Sequence, residues 1–256
     1  MTQPELNIPP GEAHLWCCSP DEASDPGLLA SYLSMLTPHE EDRYHRYHFE
    51  KDRILFLVTR ALVRTTLSRY STRSPAQWRF EPNAHGKPHL LPPCPHLEDV
   101  SFNLTNTQGL VALLLARSTS CGVDAEYLNR PLRYLSLADK FFSADEVTNL
   151  QAQPPAQQAE RFLTYWTLKE SFIKAEGKGL AIPLDSFSMR LDKVAPRIEF
   201  HSYPGNPKDW QLERHRIRED HLLALALHRP DLPDFNIKLH FTVPLQPERD
   251  IIAKAP

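Results

Sequence analysis

Cysteine is sparse in this chain and follows no pattern. The four residues, at positions 17, 18, 94 and 121, form no CxxC pair and share no ligand spacing with histidine, which argues against a zinc site. The usage fits a reducing cytoplasm. No apolar run is long enough to span a membrane, and no basic-plus-apolar leader of the secretory kind is visible. Excess charge of one sign is missing too. The formal net charge is −3, so no global basic field draws the chain to nucleic acid or anionic lipid. Glycine is scarce at 8 residues, while proline reaches 24. The prolines gather at the N-terminus, over Pro88 to Pro95, at Pro154-Pro155 and from Pro230 onward, where they punctuate loops rather than build one low-complexity block. Twelve histidines are present but scattered, and they read as surface or internally satisfied side chains rather than ligands.

What is present suffices for a folded core. The chain has 256 residues, enough for one domain or two small ones, and its hydrophobic fraction of 41% is slightly lean for a globular protein. Residues from Met1 to about Glu12 are polar and Pro-rich, with little to pack, which predicts an extended or poorly ordered start. Ala13 to Cys18 reads as a first strand. Thr37-Pro38-x-Glu40-Glu41 opens a helix, with Thr37 as cap, Pro38 at the first helical position and acids at the positive end of the dipole. Asp52 to Tyr70 reads as a long amphipathic helix. Its buried stripe is Ile54, Leu57, Val58, Ala61, Leu62 and Thr65, with Arg53, Arg60 and Arg64 off it. Lys51 and Arg53 near its start suit an anion, although the residues alone favour a solvated basic face. Gly86-Lys87-Pro88 reads as a turn in which backbone and one cation could approach a phosphate, but three residues of that kind also make an ordinary turn. Val100 to Thr107 is a strand running toward Gly109. Ser143-x-x-Glu146 is a capping box, assigned to structure.

The most informative stretch runs from Trp166 to Leu180. From Glu160 to Glu176 there is neither proline nor glycine, and Gly177 and Gly179 then end the helix. Phe162, Trp166, Glu170 and Lys174 recur every fourth residue, so an acid and a base follow two aromatics on one face. A carboxylate beside such bulk is partly desolvated and needs a cation, either Lys174 or a metal ion, although helices often carry surface Glu–Lys pairs of no great consequence. Upstream, the apolar run Leu110 to Ala116 and the segment from Cys121 read as a hairpin whose second strand ends in Asp124 and Glu126. Strand alternation points these two acids to the same side. With Glu170 they make three carboxylates, a donor set suited to magnesium that takes its remaining ligands from water and substrate phosphate.

Gly122-x-Asp124-x-Glu126, followed by Trp166-x-x-Lys169-Glu170-Ser171-x-x-Lys174 and Gly177-x-Gly179-Leu180, resembles the Sfp-type 4'-phosphopantetheinyl transferases. The likeness extends over Phe141-Phe142-Ser143-x-x-Glu146 and Leu184 to Leu191. The two motifs in this order and separation are specific, whereas either alone is weak. One departure stands out. Where the family shows Phe-Asn-x-Ser-His-Ser, this chain has Thr105-Asn106-Thr107 after Phe102-Asn103-Leu104, so the hydroxyl is kept but Asn106 can never be cationic.

The resemblance implies an α+β fold built as a pseudo-dimer of two similar α/β halves, each a mostly antiparallel sheet packed with a long helix. Residues 1–120 would form the half that binds coenzyme A, and 121–256 the half with the metal and carrier-binding sites. The strands Leu110–Arg117 and Leu222–Arg229 resemble each other in the way a duplication would leave. Phe187 to Leu191, Arg197 to Phe200, Trp210 to Arg214 and Leu222 to Leu227 read as successive strands of one antiparallel sheet, and Phe235 to Val243 as an edge strand.

The implied reaction transfers the phosphopantetheine arm of coenzyme A, the co-substrate, to a serine of an acyl or peptidyl carrier protein, releasing 3',5'-ADP. Asp124, Glu126 and Glu170 would hold Mg2+, or Mn2+. Glu170 would take the serine proton directly or through a water, and Lys174 would bind phosphate or stabilise departing charge. Lys51, Arg53, Gly86, Lys87, Pro88, Thr105, Asn106, Asp124, Lys169 and Lys174 are the expected coenzyme contacts. The carrier, an acidic helical protein, would meet Lys178, Leu180 and the Arg130 to Tyr134 loop. The resemblance further implies a monomer. Two other classes are alternatives: a magnesium-dependent hydrolase of nucleotide pyrophosphates, which the same carboxylates would serve, and a non-catalytic carrier-binding protein with a decayed nucleotide site, for which the Asn106 departure is the only support and against which the three carboxylates and Lys174 argue.

Overall fold

The computed structural model describes residues 6–131, 133–192, 194–230 and 232–246. In chain order the first elements are strand β1 (Glu12–Cys18) and helices α1 (Pro26–Leu33), α2 (Pro38–Arg46) and α3 (Glu50–Arg69). Strands β2 (Phe80–Pro82), β3 (Pro88–Leu90), β4 (Val100–Thr107), β5 (Leu110–Arg117) and β6 (Cys121–Tyr127) follow. Helices α4 (Tyr134–Phe141), α5 (Ala144–Gln151) and α6 (Pro155–Glu176) come next. Strands β7 (Phe187–Leu191), β8 (Pro196–Phe200), β9 (Trp210–Ile217), β10 (His221–His228) and β11 (Asn236–Phe241) end the series.

The chain divides into two compact units. The first comprises residues 1–82, 88–118 and 236–256, the second 83–87 and 119–235. In the first, one sheet runs β11-β1-β5-β4. Its central strand β5 is apolar along its length and buried except at Arg117, which follows from coverage on both faces. Helix α3 packs Leu57, Val58, Ala61 and Leu62 into a core shared with Trp16, Leu113 and Leu115. Thr37 caps α2 as expected, and with Glu40 it forms a full capping box. Arg64 departs from the expected exposed face. It is buried, with Nη2 2.7 Å from Glu40, because the acid that caps α2 also supplies its counter-charge.

The second unit repeats the plan. Its sheet runs β6-β10-β9, and α6 packs Leu168, Phe172 and Ala175 against β10 side chains Leu222, Ala224 and Ala226. As in the first unit, the central strand closes a hairpin: β4–β5 there and β9–β10 here. The α+β fold with a duplicated half is therefore present in the architecture itself.

Four expectations change. Strands β5 and β6 are not a hairpin. Strand β5 pairs with β1 and β4, and β6 pairs with β10, so consecutive strands enter different sheets. Strands β7 and β8 form a separate two-stranded ribbon rather than joining the β9–β10 sheet. Strand β11 is an edge strand, but it runs parallel to β1 in the first unit, so the boundary expected at 120/121 does not carry the C-terminal segment with the second half. Before β1, Ile8 is buried, and the Leu6 amide donates to the Arg69 carbonyl, so that stretch is packed. The expectation for residues 1–5 and for the tail beyond 246 lies outside the described residues.

Candidate active site

Strand β6 lies against α6 because one side chain is missing. A Cβ added to Gly122 would stand 2.0 Å from the Ser171 carbonyl oxygen and 2.5 Å from the Ala175 amide nitrogen. Only glycine permits that approach of backbone to backbone. Side chains at 122, 124 and 126 share a face, so the contact at Gly122 brings the next residue on that face, Asp124, to the helix. Its Oδ1 is 2.6 Å from the Lys174 ammonium, which also donates to the Val123 carbonyl at 3.3 Å. One turn before Lys174, α6 carries Glu170. Glu126 follows on the strand and pairs with Arg130 at 2.9 Å. Helix α6 ends at Gly177 in the left-handed conformation, φ 70°, where its amide donates to the Ile173 carbonyl.

Asp124 and Glu126 are both buried. Burial pushes the Glu126 carboxyl up to about 7, with Asp124 and Glu170 adding repulsion against the opposing pull of Arg130 and Lys174. Burial and Asp124 likewise raise Glu170, while Lys174 lowers it. The three acids thus feel one another, and together they are a crowded set of hard oxygen donors. That chemistry fits a hard divalent cation. Among the described residues no group of three or more acids, histidines or cysteines is arranged as a finished metal site. Lys174 is the cation on Asp124. The aromatic end of the α6 stripe forms as expected, with Phe162 and Trp166 stacked at 5.8 Å between centroids.

The other candidate residues distribute unevenly. Lys51 is exposed and Arg53 half-buried in the first turn of α3. Thr105 is buried, whereas Asn106 beside it is exposed on β4, so Asn106 is the one of the two that solvent reaches. Gly86 and half-buried Pro88 lie at the β2–β3 turn.

Two lysines are placed otherwise than expected. Lys87 was expected to supply charge to a phosphate. Its ammonium instead donates to the carbonyls of Cys121 and Ala175, both at 3.0 Å, and burial lowers its pKa. It bridges the ends of β6 and α6 within the second unit. Lys169, read as a phosphate or solvent contact, is 0% exposed. Its three protons go to the Leu184 carbonyl (2.6 Å), the Phe187 carbonyl (2.7 Å) and Glu146 (2.9 Å). Position explains the difference: Lys169 precedes Glu170 by one residue and so faces about 100° away, into the core. Glu146 closes its capping box with Ser143 and also accepts from the Met189 amide at 2.8 Å.

Sequence reasoning passed over two partners, Arg130 on Glu126 and Lys87 on Cys121. The first was legible as a cation four residues after an acid. The second, a contact between residues far apart in sequence, left no local signal. Of the segment from 130 to 134, residue 132 lies outside the described residues. Lys178 is exposed and bonded to Glu176 and Tyr203, and Leu180 is 70% exposed.

Comparison with known proteins agrees with this arrangement. Residues 120–226 match the 4'-phosphopantetheinyl transferase superfamily, and residues 23–119 match the 4'-phosphopantetheinyl transferase N-terminal family. The chain is 31% identical over 204 residues to 4'-phosphopantetheinyl transferase Sfp of Bacillus subtilis, covering 79% of this chain and 87% of that one. It is 31% identical over 193 residues to 4'-phosphopantetheinyl transferase HetI of Nostoc, covering 75% and 80%. It is 26% identical over 233 residues to the L-aminoadipate-semialdehyde dehydrogenase-phosphopantetheinyl transferase of Rattus norvegicus, covering 84% and 72%. With similarity spanning both units and the acids of β6 and α6 inside the matched region, the chain belongs to the 4'-phosphopantetheinyl transferase superfamily.

Proposed function

We propose that this enzyme moves the 4'-phosphopantetheine arm of coenzyme A onto a serine hydroxyl of an acyl or peptidyl carrier protein, with a divalent cation, Mg2+ or Mn2+, and with release of 3',5'-ADP. The observation that carries the reading is the convergence of Asp124, Glu126 and Glu170 beside Lys174 on the facing surfaces of β6 and α6.

The attacked phosphorus belongs to a pyrophosphate, whose charge repels a nucleophile and grows on the leaving oxygen. Asp124, Glu126 and Glu170 would hold the cation, which supplies charge neutralisation across the pyrophosphate when bound. The bond between serine Oγ and phosphorus forms as the phosphorus–oxygen bond to 3',5'-ADP breaks, and the bonding pair leaves on that oxygen. Glu170 takes the serine proton. Its raised pKa makes it a stronger base than an exposed glutamate. Lys174, which already neutralises Asp124, provides positive charge where negative charge develops. Lys51, Arg53, Thr105, Asn106, Gly86 and Pro88 stay candidates for coenzyme contact. For Lys87 and Lys169 we assign a supporting role, through the strand and helix they hold. The carrier, an acidic helical domain, would meet Lys178, Leu180 and the segment around Arg130. No helix among the described residues is long and apolar enough to cross a membrane, and all four cysteines are buried thiols. We place the enzyme in the cytoplasm, acting as a monomer.

The test is intact-mass spectrometry of apo carrier proteins from fatty acid, polyketide and nonribosomal peptide systems, incubated with the enzyme, coenzyme A and magnesium. The carrier should gain one phosphopantetheine arm, EDTA should abolish the gain, and Glu170→Gln should collapse it with the fold intact. Consumption of coenzyme A with no gain on any carrier would establish a hydrolase instead. Near wild-type transfer by Glu170→Gln would remove Glu170 as the base.

A further inference from the structure

Within the second unit, a recess of about 550 Å³ opens beside the β7–β8 ribbon. Its walls are Arg190, Arg197, Glu199, Lys208 and Arg229, and Ile198, Pro207 and Trp210 give it an apolar floor. Its volume is that of a small-molecule site. None of its residues belongs to the carboxylate cluster. The lining carries four cations against one acid, in a chain whose formal net charge is −3.

The ribbon brings two of these cations together. Arg190 and Arg197 stand directly opposite one another in the β7–β8 register, a cross-strand placement in which like charges destabilise. Carboxylates offset part of this, but mainly on one edge of each guanidinium. Arg190 gives Nε to Glu199 and Nη2 to Asp145. Arg197 gives Nε to Asp192. Arg229 Nε lies 2.7 Å from Asp234 as an ion pair, and Nη1 donates to the Leu232 carbonyl. Among the described residues, both Nη groups of Arg197, Nη1 of Arg190 and Nη2 of Arg229 make no hydrogen bond, and exposed Lys208 makes no ion pair. Asp145, Asp192 and Asp234 do not line the recess. A ligand entering it would meet donor-rich guanidinium edges and one ammonium. Planar forks of this kind match the oxygens of phosphate groups. Trp210, 9% exposed and 4.9 Å from the His228 ring, adds an aromatic surface beneath them.

We infer that this recess is a binding site, separate from the carboxylate cluster, for a small phosphate-bearing polyanion with at least two negative charges. The source is either a nucleotide, whose base would lie on the apolar floor, or a simple polyphosphate held by the cations alone.

The test uses the full chain labelled with 5-fluorotryptophan, in EDTA. Four indoles give four fluorine resonances, and the one lost in Trp210→Phe reports the recess. ATP, inorganic pyrophosphate and adenosine are titrated in turn. The expected result is a saturable shift of the Trp210 resonance with ATP. Pyrophosphate shifting it as well would identify phosphate as the whole recognition element, and ATP alone would identify a nucleotide. Lys208→Glu, a change at an exposed side chain without an ion-pair partner among the described residues, should weaken the binding at least tenfold and leave carrier modification unchanged. Arg197→Gln should do the same. A Trp210 resonance that none of the probes moves would overturn the inference. So would a shift of equal midpoint in wild type and Lys208→Glu, or one that adenosine produces as well as ATP does.

Discussion

Lys169 offers the sharpest separation between a structural and a coenzyme-binding role. Replace it by methionine, which keeps the length and removes the ammonium. Two carbonyls, of Leu184 and Phe187, then lose partners at 2.6 and 2.7 Å, and Glu146 is left with its charge in the core. Breaking one side of a buried ion pair costs about 3–5 kcal/mol. Glu146 keeps donors from the Ser143 amide and hydroxyl and the Met189 amide, which argues for the lower end, roughly 3 kcal/mol. For a chain of this size each kcal/mol moves Tm by about 2–4 °C, so the drop should be roughly 6–12 °C. Calorimetry of wild type, Lys169→Met, Glu146→Gln and the double variant forms a cycle. The double variant should recover part of the loss, because no unpaired charge is left. Coenzyme A KM, measured well below the new Tm, should stay within about twofold, since the ammonium meets no solvent. A Tm within a degree of wild type, together with a tenfold rise in KM, would refute the assignment and return Lys169 to the phosphates.

Other outcomes follow from the same contacts. Gly122→Ala forces β6 off α6, because the new Cβ meets backbone at 2.0 Å and 2.5 Å. Overpacking of that kind costs about 1–3 kcal/mol or more. The displaced Asp124 should cut kcat about a hundredfold, so a variant with wild-type melting and turnover would contradict the geometry. His14 is held neutral by burial and by His240, against the pull of Glu12, and its folded pKa lies below the ordinary value. A depressed histidine contributes stability above its unfolded pKa of about 6.5 and loses it as pH falls. Between pH 7 and 5 the wild type should therefore lose more Tm than His14→Gln, and parallel curves would dismiss the effect. Asn106→His introduces a cation at an exposed strand position. If position 106 meets a coenzyme phosphate, KM for coenzyme A should fall roughly threefold to tenfold at pH 6, and less at pH 8, as a charged hydrogen bond replaces a neutral one. An unchanged KM at both pH values would take position 106 out of the coenzyme site.

The sequence made the second unit's helix legible in detail. Fourfold spacing from Phe162 to Lys174 and the glycine stop at Gly177 are local signals, and α6 obeys them. The twin apolar strands β5 and β10 were legible as a repeat because burial on both faces leaves an unbroken apolar run. Pairing was less legible. Nothing between Arg117 and Cys121 says that the chain leaves one sheet for another, since strand alternation reports a face and not a neighbour. The same limit hid Lys169 and Lys87. Charge in a motif suggests solvent or ligand, yet each ammonium is consumed by carbonyls whose position depends on segments far away in sequence.

The parallel pairing of β11 with β1 means that the first unit is not a contiguous piece of chain. During synthesis its sheet stays one strand short while the whole second unit is made, with the outer edge of β1 open and its Leu15–Trp16–Cys17 segment waiting for residues 239 to 241. An open apolar edge of that sort is a template for wrong partners, and pairing between the extremes of a sequence is slow to form. The second unit, by contrast, can complete itself first. Truncation before Asn236 therefore injures the half of the molecule that was translated earliest, while the carboxylates of β6 and α6 stay in a unit whose own strands are all made.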